Sequence, residues 1–179
     1  MKTKNILLNS GKSVKWKLLV ASAVLYFGFT SLSSAQTDNR FGVMLAYGTE
    51  IENVGLGINA DFPVAEHLTI APSFIYYFPK DYPGGDMNWW ELNADANYYF
   101  VENEGIGFYG LAGLNYSHVS VDFDTAMGSM ESSNGEFGLN LGVGANFNIQ
   151  SSITPFAPLK YVIIDGSQLV VSAGVRFRL

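Results

Sequence analysis

Three observations predict one fold class. From Arg40 onward, apolar and polar residues alternate with period two in eight segments; the connections alternate between short and long; and apolar-face aromatics gather at the two ends of the segments. Period-two alternation marks strands whose faces see different surroundings. Turns that alternate in length mark an up-and-down antiparallel closure, and two aromatic rings flanking an aliphatic band mark the two headgroup levels of a bilayer. The sequence therefore predicts an all-β chain, an eight-stranded antiparallel up-and-down transmembrane β-barrel.

Composition agrees. Hydrophobic residues make up 48% of the 179 and charged residues 15%, against about 25% charged in a soluble domain. There is no cysteine, which excludes disulfide scaffolds, thiolate zinc sites and thiol catalysis, and no motif calls for a cofactor. The first 35 residues hold five lysines and no acid, leaving five basic against sixteen acidic residues after Ala35. A net charge of −11 there argues against binding nucleic acid through its phosphates.

Residues 1–35 read as a cleaved export signal: lysines up to Lys17, an apolar run over 18–32, then Ser33, Ser34 and Ala35. Cleavage after Ala35 leaves Gln36 first, and the barrel domain occupies 36–179. The apolar run is fifteen residues long and interrupted by Ser22, Thr30 and Ser31, short of the roughly 20 that a spanning helix needs.

Each segment follows the same logic. The first sets Phe41, Val43, Leu45 and Tyr47 outward against Gly42, Met44 and Ala46; the second, Val54 to Phe62 in steps of two against Gly55, Gly57, Asn59 and Asp61. The third opposes Leu68, Ile70, Pro72, Phe74, Tyr76 and Phe78 to Thr69, Ala71, Ser73, Ile75 and Tyr77. The fourth has Trp90, Leu92, Ala94, Ala96, Tyr98 and Phe100 against Glu91, Asn93, Asp95, Asn97 and Tyr99. The fifth sets Phe108, Leu114 and Tyr116 against Tyr109, Gly113, Asn115 and Ser117, with Val119, Val121 and Phe123 suggesting a change of phase beyond. The sixth, Phe137 to Phe147 against Glu136 to Asn146, is the cleanest. In the seventh, Ala157, Leu159, Tyr161 and Ile163 oppose Lys160, although Pro155 and Pro158 cannot donate to a ladder. The eighth sets Leu169, Val171, Ala173, Val175, Phe177 and Leu179 against Gln168, Ser172, Gly174, Arg176 and Arg178.

Short turns at 63–67, 101–105 and 148–153 fall on the periplasmic side, and loops at 48–53, 79–88, 119–135 and 165–167 on the outer side. One aromatic ring then holds Phe41, Phe62, Phe100, Phe108, Phe147 and Phe177. The other holds Tyr47, Tyr76, Phe78, Trp90, Tyr116 and Phe137. A lipocalin-type soluble barrel has no reason to sort aromatics in this way.

The run Phe108-Tyr109-Gly110-Leu111-Ala112-Gly113-Leu114-Asn115-Tyr116 and the alternating terminus from Leu169 to Leu179 resemble the small OmpA/OmpX-type outer-membrane β-barrel domain proteins, over about 40–179. The resemblance implies an integral outer-membrane protein with a structural or surface-interaction role, non-enzymatic and monomeric. It implies contact with outer-membrane lipids including lipopolysaccharide. The outer-membrane insertion machinery would read Val175, Phe177 and Leu179, although this chain ends in Leu179 where the pattern has Phe.

The inward charges Asp61, Glu91, Asp95, Glu136, Lys160, Arg176 and Arg178 form a lumen network. The interior of eight strands is just wide enough for side chains, so these charges are expected to fill it with ion pairs, Asp95 being the expected partner of Lys160; a narrow porin-like channel is the alternative. His118 and Ser120, two apart, resemble the catalytic pair of outer-membrane lipid A deacylases, with Glu131 as a third member. Here the residue after the serine is Val121 where that pattern has asparagine. His67 reads as a solvated turn residue, and the acidic outer loops as hydrated.

Overall fold

The computed structural model describes residues 39–82, 85–125, 128–147 and 152–179, and the side chains of these except 80–82, 85–86, 122–125 and 128–131. The leader, with Ala35 and Gln36, lies outside the described residues. Eight strands follow in order: β1 Arg40–Gly48, β2 Asn53–Ala65, β3 Leu68–Tyr82, β4 Gly85–Glu102, β5 Ile106–Thr125, β6 Gly128–Phe147, β7 Ile153–Ile163 and β8 Gln168–Arg178. Every sequential pair is antiparallel, and β8 returns to β1 from Arg40↔Arg178 to Gly48↔Val170, closing the barrel. Closure pairs the edges that an open sheet would leave bare.

The predicted faces hold in all eight strands. Val43, Leu45, Leu56, Ile58, Leu92, Leu114, Leu139, Leu141, Leu159 and Val171 stand exposed on the outside, where lipid, not water, is their solvent. Asn59, Asp61, Glu91, Asn93, Asp95, Asn115, Asn140, Lys160 and Arg176 are buried inside. At the outer ring Trp90 meets Phe74, Tyr116 and His118 at ring-centroid distances of 6.0, 5.6 and 5.1 Å, and Tyr116 meets Phe137 at 4.8 Å.

Proline marks where the ladder thins. Between β2 and β3 the pairs of Pro72 and Ala71 are missing although the register resumes unshifted at Phe62↔Ile70; between β7 and β8 the pairs of Ala157 and Pro158 are missing in the same way. Each ring has no N–H to offer its neighbour.

Two expectations are corrected. The segments 79–88 and 119–135 are strands for most of their length: β4 and β5 pair out to Gly85↔Phe123, and β5 and β6 out to Thr125↔Gly128. Gly, Ser and Asp in these stretches read as loop, but a hairpin already in register keeps pairing beyond the membrane because each added pair satisfies more backbone groups. Nor does β5 change phase. Its pairing with β6 runs unbroken from Ile106↔Phe147, so Val119 stays on the inward face, at the outer mouth.

Candidate functional site: a packed lumen and two mouths

The interior is organised around two ion pairs. Lys160 Nζ lies 3.7 Å from Glu91 Oε2. The other oxygen of Glu91, which is wholly buried, accepts from Gln168 Nε2 at 2.7 Å and from the Tyr77 hydroxyl at 3.4 Å. Lys160 therefore pairs with Glu91, correcting the expected pairing with Asp95. Asp95 instead accepts from Asn140 Nδ2 at 2.7 Å, and Asn140, Asn115 and Asn93 form an amide cluster joined by 2.9 Å bonds and extended by Ser117.

Nearer the short-turn end of the barrel, Arg176 Nη1 lies 3.5 Å from Asp61 Oδ2 and donates to Asn146 Oδ1 at 3.1 Å. The guanidinium sits 3.9 Å above the Phe156 ring. Asn59, with its amide oxygen turned toward the guanidinium, accepts from Nε and Nη2 at 2.8 and 2.9 Å. Asn146 also donates to the Tyr99 hydroxyl at 2.6 Å.

Sequence reasoning missed an apolar cap. Met44, Ala46, Ile51, Ile75, Tyr77, Phe156, Val162 and Val170 form one buried cluster, with Met87, Trp89 and Ile164 packed on it. Ile51 comes from the β1–β2 turn and folds into the mouth. The signal was available in the inward positions of Ile75, Tyr77 and Val170. A cavity of about 40 Å³ remains between Asp95, Lys160 and Arg176, room for one or two water molecules.

The other predicted charges lie outside this interior. Arg178 is exposed at the rim of the short-turn end. Glu136 sits at the outer mouth, where it accepts from the Asp165 backbone N–H at 2.9 Å. Being inward by parity does not bury a residue at a strand end. Val175 pairs with Val43 in the closing ladder, and Phe177 and Leu179 stand exposed beside it.

His118 and Ser120 share the outward face of β5. The imidazole stacks on Trp90 at an interplanar angle of 28°, and among the described residues no hydrogen bond joins it to Ser120. Glu131 stands opposite Asp122 in the ladder, and its side chain lies outside those described. His67 occupies a left-handed turn position (φ 62°), half-exposed, with Nδ1 3.3 Å from Glu102 Oε2.

The sequence matches the family described as outer membrane protein beta-barrel domain over residues 15–177. No curated protein sequence matches the chain. Among solved structures it is similar to Ail of Yersinia pestis (17% identity, 80% of this chain and 97% of that one, TM-score 0.56). It is also similar to the neisserial surface protein NspA (20%, 79% and 96%, TM-score 0.59). The N-terminal β-barrel domain of OprF from Pseudomonas aeruginosa is comparable (17%, 80% and 100%, TM-score 0.59).

Proposed function

The chain belongs to the outer membrane protein beta-barrel domain family, and from that premise we propose that it is a monomeric, non-enzymatic surface-interaction protein of the outer membrane. One observation carries the reading: beyond the outer aromatic ring, β3 to β6 continue as a projecting sheet with an open edge. The β6–β7 ladder begins at Leu139↔Ile163, so residues 128–138 of β6 have no neighbouring strand on that side among the described residues. An open edge offers backbone donors and acceptors to an extended segment of a partner. The eleven residues 128–138 of β6, at about 3.3 Å each, carry this edge on the order of 35 Å along the strand.

The charge of these segments restricts the partner. Glu50, Glu52, Asp81, Asp86, Asp122, Asp124, Glu131 and Asp165 fall in the outer turns and projecting strands, with Lys80 their one basic residue. Ail has been described in complex with the heparin analogue sucrose octasulfate; the acidic outer end here favours a neutral or cationic partner over a polyanion. Lipid contacts, including lipopolysaccharide, fall to the aliphatic band and rings, and the insertion machinery reads Val175, Phe177 and Leu179.

The test removes residues 119–134, leaving Tyr116 and Phe137 in place. Cells producing this variant should retain a folded barrel, shown by different gel migration before and after boiling, and lose the adhesion that wild-type production confers. Equal adhesion by both would overturn the surface role. A tag at Ser132 should be reachable by antibody on intact cells and one at Asn103 should not; equal labelling would overturn the orientation.

A further inference from the structure

The periplasmic mouth has a charge arrangement that the surface role does not use. Between the ends of β1, β2 and β4 lies a cavity of about 170 Å³ lined by Arg40, Asp61, His67, Thr69, Tyr99 and Glu102 among others. At about 30 Å³ per water molecule it holds the volume of five or six. That suits an amino acid or a dipeptide and excludes a folded partner.

Its walls differ in sign. The β1–β8 wall is cationic, with Arg40 beside Arg178 in the ladder. Next to it, β2 brings Asp61 and β4 brings Glu102, with Glu66 of the β2–β3 turn 3.7 Å from His67 at the rim. Asp61 is Arg40's register neighbour on β2, yet its ion pair is with Arg176, through Oδ2. Its Oδ1 is buried and has no hydrogen-bond partner among the described residues, in a residue only 2% exposed. Asp61 lines the cavity, and its ion pair leaves this carboxylate with acceptor capacity unused. The Tyr99 hydroxyl accepts from Asn146 and still has its own proton to donate. At the rim the His67 ring holds Glu102 at 3.3 Å from a left-handed backbone position (φ 62°) that disfavours a side chain.

We propose that this vestibule binds a small zwitterion, an amino acid or a whole dipeptide, from the periplasmic side. The ligand carboxylate meets the Arg40 guanidinium, whose fork suits two oxygens. The ammonium meets the carboxylates of Asp61 and Glu102, which line the cavity. A ligand carrying one charge satisfies only one wall.

The test uses the barrel refolded in detergent micelles and nitrogen-15 NMR, with glycylglycine as zwitterion, N-acetylglycine as anion and glycinamide as cation. Glycylglycine should give saturable shifts at the Ala65, Thr69 and Gly107 amides, and each single-charge probe should bind about tenfold more weakly. Arg40→Gln and Glu102→Gln should each weaken glycylglycine by a similar factor, while Glu102→Gln leaves N-acetylglycine unchanged. Both residues lie at the mouth, so both variants should refold, which the unshifted amides of the barrel wall verify. Absence of saturable shifts at these amides, or N-acetylglycine binding as tightly as glycylglycine, would overturn the proposal. Neither outcome bears on adhesion through the projecting sheet.

Discussion

The two ion pairs of the lumen have similar lengths and opposite surroundings. Lys160–Glu91, at 3.7 Å, lies beneath the apolar cap, with Tyr77 of that cap bonded directly to the carboxylate. Arg176–Asp61, at 3.5 Å, lies beside a cavity at the periplasmic mouth. The difference shows that inward parity sets which residues enter the lumen, while the nearest mouth sets how far water can replace a lost partner. Removing Lys160 from the capped pair strands the wholly buried Glu91 carboxylate in a dry place. Removing one from the lower pair leaves Arg176 with Asn59, Asn146 and an entry path for water.

The largest expected effect follows. Lys160→Met should lower refolding stability in detergent by about 3–5 kcal/mol, the usual result of stranding a buried charge. Adding Glu91→Gln should recover most of that loss, whereas adding Asp95→Asn should recover little, because Glu91 is the partner within 4 Å. Denaturant titrations of the two double variants decide between the carboxylates, and rescue by Asp95→Asn alone would contradict the pairing.

That choice of partner was not legible in the sequence. Following the ladders from Lys160 leads to Gly142, then Leu111, then Asn97 on β4, and Glu91 lies six residues farther along that strand. Rows of a tilted, sheared barrel climb as they circle it, so equal depth cannot be judged from position within each segment. The faces were legible because lipid and lumen impose opposite chemistry on alternate residues, as the exposed Leu139 and Leu141 and the buried Asn140 show. The cap was legible through parity alone: Ile75, Tyr77 and Val170 carry no other mark separating an apolar lumen residue from an apolar lipid-facing one. The strand extensions of β5 and β6 escaped for another reason. Outside the bilayer both faces meet water, so the alternation that reveals a strand disappears although the pairing continues.

Opening the cap sharpens the comparison. Ile75→Ala should itself cost about 2–3 kcal/mol, toward the low end for a buried aliphatic, because the flexible Met44 and Met87 of the same cluster can move into the gap. In that background Lys160→Met should cost less than alone, since water then reaches Glu91. A double-mutant cycle by urea unfolding measures this coupling, and strict additivity would mean that the cap does not exclude water.

Asp61→Asn should cost about 1–3 kcal/mol, the range for an imperfectly replaced buried hydrogen-bond partner, and therefore less than Lys160→Met. A loss equal to or above that of Lys160→Met would break the contrast between the two ends.

The smallest effects come from the turns that close those ends, each with a residue in the left-handed region: Gly166 (φ 81°) outside and His67 (φ 62°) on the periplasmic side. No atom lies within 4 Å of a Cβ built on Gly166, so Gly166→Ala meets no steric obstacle and should cost about 1 kcal/mol through backbone conformation alone. His67→Gly removes the same kind of strain while losing the contact to Glu102, worth at most about 1 kcal/mol between half-exposed groups. The two contributions oppose, so His67→Gly should change stability by only a few tenths of a kcal/mol. Parallel urea titrations of the two variants test the pair. If His67→Gly proves as costly as Gly166→Ala, the imidazole's contact with Glu102 outweighs the relieved backbone strain, and the periplasmic mouth is braced more firmly than its open cavity implies.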